Sequence, residues 1–108
     1  SYQNHYARPA MNDPLDSRKL QIFLCLAQKG SLKAAAPELS LTNSAVSHAI
    51  SGLEAELGVQ LFHRSAKGFE LTDKGDLLYR KAVPVVARMS SLRAELAGEV
   101  FDERAQLR

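Results

Sequence analysis

From residue 16 onward, apolar positions fall into helical stripes interrupted once by two short strand-like runs. Leu20, Phe23, Leu24 and Ala27 have the spacing of an amphipathic helix. Asp16 precedes them as an N-cap and Gly30 follows as a stop, which predicts a helix over about residues 17–29. The next stripe, Leu32, Ala35, Ala36 and Leu39, starts after the capping residue Ser31, and its paired alanines allow helices to approach closely. Pro37 lies beyond the first turn, where it removes a backbone hydrogen bond and crowds the carbonyl four residues back. This helix is therefore expected to be kinked, or shorter than its pattern.

Thr42 caps a third helix that ends before Gly58, with Val46, Ala49, Ile50, Leu53 and Leu57 on its apolar side. Ser44, His48, Ser51 and Ala55 point the other way, with Asn43 and Ser47 towards the flank. This outward face is small and polar and has no acidic residue before Glu54. Short hydrogen-bonding side chains, in place of the usual Glu and Lys, suit close approach to something flat or grooved.

After Gly58, VQLF and FELT read as two short strands separated by HRSAKG, a hairpin with a basic tip turned by Gly68. Thr72 caps a fourth, longer helix beginning near Asp73, with Gly98 as its candidate end. Leu78, Ala82, Val85, Met89, Leu92 and Leu96 alternate spacings of four and three along it, the heptad seam of a coiled coil. The competing reading packs this helix on its own domain, and Leu77 and Tyr79 are expected to point inward in either case. The narrow seam favours a partner helix. Pro84 predicts a kink or a loosened turn.

At 108 residues the chain is one domain, or one domain with an appendage. Its formal charge of +2 is too small to announce a nucleic-acid binder, although Arg64, Lys67, Lys74, Arg80 and Lys81 fall close together. The one cysteine, Cys25, sits in an apolar run, so no disulfide forms within the chain and a reducing cytoplasm fits. No stretch approaches the roughly 20 apolar residues of a membrane span, and the first ten residues lack the features of a signal peptide. Met11 reads as the initiator, which makes residues 1–10 a vector-derived or unstructured leader. Enzyme chemistry finds no support: His5, His48 and His63 show no metal-ligand spacing with Cys or carboxylates, and no glycine-rich phosphate loop is present.

Helix, helix, helix, hairpin, long helix makes a mainly α fold with a small β-hairpin. It is the order of a winged helix-turn-helix followed by a long dimerisation helix. Residues 30–79, GSLKAAAPELSLTNSAVSHAISGLEAELGVQLFHRSAKGFELTDKGDLLY, closely resemble the N-terminal signature of LysR-type transcriptional regulators. The resemblance runs from about Leu15 to Leu96. Its most specific pieces are Gly30-Ser31, Ala35-Ala36, the Ser44–Ser47 run, Leu53-Glu54, Leu57-Gly58, Leu61-Phe62 with Arg64, and Leu71-Thr72 with Gly75. Three positions depart from the family: Pro37 replaces a helix-friendly polar residue, Ser44 stands where Pro is frequent, and His48 stands where Arg is frequent. A contact through His48 is therefore expected to be weaker, or to depend on protonation near neutral pH.

The resemblance implies a cytoplasmic, non-enzymatic regulator with a DNA-binding unit over residues 11–72, a linker helix over 73–98, and a connection over 99–108 to an effector-binding domain. Its partners would be double-stranded DNA and a second copy joined through the linker helix, with tetramers open to the full-length protein. A small-molecule co-inducer of unknown identity would act on that protein; no cofactor or metal is expected in this fragment. Base contacts are expected from Asn43, Ser44, Ser47, His48 and Ser51, since the N-terminal part of a recognition helix enters the major groove. Ser47 is equally a candidate phosphate contact, and the serines have an ordinary surface reading beside the functional one. Backbone and wing contacts are expected from Ser31, Lys33, Thr42, Arg64, Lys67 and Thr72. Arg64 has a second reading, an ion pair with Glu54 or Glu56. The rival to DNA binding is a winged-helix module for protein association, which would not need the small polar face of the third helix.

Overall fold

In a computed structural model the described residues are 15–98. The expectations for the leader at 1–10 and the connection at 99–108 lie outside them. The elements are α1 (Ser17–Lys29), α2 (Leu32–Leu39), α3 (Asn43–Leu57), β1 (Phe62–Ser65), β2 (Gly68–Leu71) and α4 (Asp73–Leu96). Each helix starts where a side-chain acceptor meets an orphan N–H. Asp16 accepts from Lys19 N at 2.8 Å, Ser31 from Ala34 N at 3.2 Å, Thr42 from Ala45 N at 3.0 Å, and Thr72 from Gly75 N at 3.0 Å.

Pro37 does not interrupt α2. The helix continues to Leu39, then stops at Ser40, whose φ of 56° is left-handed. The ring thus costs one backbone bond close to the end of a short helix. Pro84 likewise lies within α4, which continues past it to Leu96.

The core joins α1, α2 and α3 to the hairpin. Phe23, Leu26, Val46, Ile50, Leu53 and Leu61 are fully buried, each contributing about 1.5–3 kcal/mol by removal from water. Phe62 carries the hairpin into this core, with ring centroids 5.3 Å from Phe23 and 5.6 Å, edge-on, from Phe69.

β1 and β2 pair antiparallel from Phe62↔Leu71 to Ser65↔Gly68. The first strand is therefore not VQLF: it begins at Phe62 and takes in His63, Arg64 and Ser65, leaving Ala66 and Lys67 as the loop. The reason lies at the end of α3, where Val59 N donates back to the Glu54 carbonyl at 3.2 Å, so VQLF starts inside the helix cap. The N–H groups of Leu61 and Phe62 donate to Glu54 Oε2, at 2.7 and 3.2 Å, and the Leu61 carbonyl accepts from Thr72 N at 3.0 Å. At the far end of the hairpin Phe69 N donates to the Gly30 carbonyl at 2.8 Å. The start of α4 meets the same structure, because a Cβ on buried Gly75 would collide with the Leu61 carbonyl.

The seam of α4 divides. Ala82, expected at a dimer interface, is 3% exposed within the domain's own core, and Leu78, Tyr79 and Val86 pack partly against it. Leu77, expected inward, is 43% exposed. The first turns of α4 lie on α1, so the 3.6-residue helical period decides which side is covered there. Farther along, Val85, Met89, Leu92 and Leu96 are exposed, Leu96 to 81%.

Candidate nucleic-acid interface

Thr42 caps α3, and Val46, Ile50 and Leu53 hold its inner side in the core. That anchoring leaves the opposite side open. Asn43, Ser44, Ser47, His48 and Ser51 line one open hollow of about 470 Å³, together with Leu32 of α2. The five side chains expected to meet bases therefore lie together on one open surface. The first turn of α3 contains no acidic residue, so its positive helix end faces outward without a local counter-charge.

Ser51 also borders a second hollow, of about 510 Å³, lined by Glu54, Gln60, Phe62, His63 and Arg64. Gln60 and His63 join the site here without having been singled out from sequence. The signal for His63 was strand alternation: it follows the buried anchor Phe62 and is exposed. Leu32, at the edge of the first hollow, gave no signal beyond its place in an apolar stripe.

Arg64 is held by several groups. Its Nη2 donates to Ser51 Oγ at 2.9 Å and lies 3.9 Å from Glu54 Oε1, and its guanidinium carbon is 5.1 Å from the centroid of the Phe69 ring. The ion-pair reading of Arg64 is thus realised with Glu54. Glu56 pairs with Lys19 at 3.4 Å. Arg64 is still 44% exposed at its side chain.

The remaining backbone candidates differ in what their polar atoms have left to offer. Ser31 and Thr42 spend an acceptor on their caps, which leaves each hydroxyl proton able to donate outward. Thr72 accepts from Gly75 N and also donates to the Gln60 carbonyl at 2.6 Å. Its proton is committed inside the protein, against the expectation of a phosphate contact through that hydroxyl. Lys33, on the second residue of α2, and Lys67, in the hairpin loop, are exposed.

Away from this surface, burial pushes the Cys25 thiol above its ordinary pKa; the charge of Glu38 acts in the same direction and that of Lys29 against it. Among the described residues, no group of three or more His, Cys, Asp or Glu is placed to hold a metal ion, and no helix is long and apolar enough to cross a membrane.

Residues 17–76 match the family model described as bacterial regulatory helix-turn-helix protein, lysR family. The HTH-type transcriptional activator BauR of Pseudomonas aeruginosa is 40% identical over 81 residues, covering 75% of this chain and 27% of BauR. The crystal structure of the CbnR_DBD-DNA complex superposes with a TM-score of 0.67 at 32% identity, covering 78% of this chain and 99% of that one. Full-length LysG from Corynebacterium glutamicum with bound effector Arg gives a TM-score of 0.70 at 28% identity, over 78% of this chain and 29% of LysG. The chain spans about a quarter of the length of the curated relatives it matches.

Proposed function

This chain belongs to the lysR family of bacterial regulatory helix-turn-helix proteins, and we propose that it reads dyad-symmetric promoter DNA as a homodimer, with α3 in the major groove and the hairpin on the flanking backbone. The observation that carries this reading is the open hollow on α3 that Asn43, Ser44, Ser47, His48 and Ser51 line together. Asn addresses adenine through two hydrogen bonds, and Ser serves either donors or acceptors on base edges. Lys67, Lys33 and the hydroxyls of Ser31 and Thr42 supply the phosphate contacts that set register.

The exposed line Val85, Met89, Leu92 and Leu96 on α4 supports pairing of two copies. Such pairing presents two α3 helices to half-sites separated by about one helical turn or a multiple of it. The longer protein of which this chain would be the DNA-reading part takes a small-molecule co-inducer and works in the cytoplasm. The effector bound by LysG supports that reading in kind, without naming the ligand.

The test is selection from a randomised duplex library at two salt concentrations, with an Asn43→Ala/His48→Ala variant in parallel. Enrichment of one dyad-symmetric motif by the wild-type chain, lost in the variant and weakened by salt, is the expected result. A folded dimer that retains no duplex even at low salt would overturn the reading and favour a protein-association module.

A further inference from the structure

Ser51 stands at the junction of the two hollows on the candidate interface, and Arg64 Nη2 donates into its hydroxyl oxygen at 2.9 Å. A serine hydroxyl by itself serves donors and acceptors equally. Here the guanidinium removes that symmetry. Any second donor approaching Ser51 Oγ meets the positive charge of Arg64, whereas an acceptor meets both the outward hydroxyl proton and that charge.

The position of Arg64 depends in turn on Glu54. One carboxylate oxygen accepts from the N–H groups of Leu61 and Phe62, which places the start of β1, and the other lies 3.9 Å from the guanidinium. The Glu54 side chain is only 15% exposed, so its charge acts on Arg64 from the protein side. Phe69, paired with Arg64 across the hairpin, lies beneath the guanidinium. Carboxylate, ring and serine together hold Arg64 over α3, with its side chain still 44% exposed.

We propose that Glu54 is a positioning residue for DNA recognition: it acts through Arg64 to make Ser51 a donor that selects hydrogen-bond acceptors on DNA, such as guanine O6 and N7 or thymine O4. The inference rests on the DNA-reading function proposed above. It assigns Arg64 chiefly to tuning Ser51, with phosphate contact suppressed by the Glu54 carboxylate. Glu54 thereby trades non-specific attraction for selectivity.

The experiment is selection from a duplex library randomised over about three helical turns, followed by affinity measurements on the selected duplex against salt. It compares the wild-type chain, Glu54→Gln, Arg64→Met, the double variant and Glu56→Gln. In Glu54→Gln the new amide oxygen retains an acceptor for the Leu61 and Phe62 N–H groups, and circular dichroism confirms folding. Glu54→Gln is expected to lose preference at one or two positions per half-site, by roughly three- to tenfold, and to steepen the logarithmic salt slope by about 0.9 for each freed phosphate contact. Glu56→Gln makes the same charge change beside Lys19 and should keep the wild-type motif. In the Arg64→Met background, Glu54→Gln should change nothing further. An unaltered motif and slope in Glu54→Gln, or an effect of Glu54→Gln that persists without Arg64, would overturn the inference while leaving DNA reading intact. Failure of the wild-type chain to select any motif would instead strike the function on which it rests. Should Glu54→Gln not fold, Arg64→Lys keeps the backbone bonds of Glu54 and must lose the same motif positions; retention of them would overturn the proposal.

Discussion

Gly68 faces the carbonyl of Gly30 so closely that no Cβ fits between them, and the next residue, Phe69, donates its N–H to that same carbonyl at 2.8 Å. The φ of Gly68 is 123°, a conformation other residues rarely adopt. The end of α1 and the second strand of the hairpin are therefore joined backbone to backbone. Gly68→Ala combines backbone strain with a collision against main-chain atoms. It is expected to destabilise the chain by about 2–4 kcal/mol, read as a lower thermal midpoint; a shift below a degree would show that the contact yields.

Ala82 and Leu92 were placed on one seam by sequence, and the structure separates their consequences. Ala82→Leu should overpack the core and cost about 1–3 kcal/mol of stability. Leu92→Lys lies on an exposed surface and should leave the thermal midpoint of a dilute sample nearly unchanged while weakening self-association. Sedimentation equilibrium over a concentration series checks the second effect. An unchanged association constant for Leu92→Lys together with Val85→Lys would remove α4 as the pairing surface.

Base readout and backbone attraction differ in how they respond to sequence and salt. Asn43→Ala is expected to cost about 1–3 kcal/mol against a selected duplex and much less against random duplex. Lys67→Ala should weaken both alike and reduce the salt slope by about 0.9. Fluorescence anisotropy titrations at several salt concentrations distinguish the two, and equal losses by Asn43→Ala on both duplexes would exclude it from base readout.

The raised pKa of Cys25, caused first by burial and then by Glu38, carries a sign for stability. The folded chain holds the thiol protonated at pH values where the unfolded chain ionises it. Its stabilising contribution is full below the ordinary value of 9.0 and is lost as pH rises through the folded value. Iodoacetamide alkylation of the native chain should accelerate at higher pH than alkylation of the same chain in urea. Coincident rate profiles would contradict the assigned burial effect.

Helix starts and the inner side of α3 were legible because they are local. Asp16, Ser31, Thr42 and Thr72 each meet an N–H three residues ahead, and Val46, Ile50 and Leu53 follow the helical period that leads into the core. The face carrying Asn43, Ser44, Ser47, His48 and Ser51 was legible for the same reason, since it is what remains when the apolar side is buried. The strand boundary was misplaced because VQLF looks extended to a local pattern, while its first residue, Val59, closes α3 by donating to the Glu54 carbonyl.

Sequence alone thus determined the order of elements, their caps, the core-facing stripes and the family to which they point, all of which depend on neighbours within a few positions. Tertiary structure decided which α4 residues lie under the domain and which remain free. It also decided that Arg64 is shared among Ser51, Glu54 and Phe69, and that the Thr72 hydroxyl is spent on Gln60. These outcomes are contacts between residues distant along the chain, and periodicity places a side chain on a face without saying what comes to meet it there.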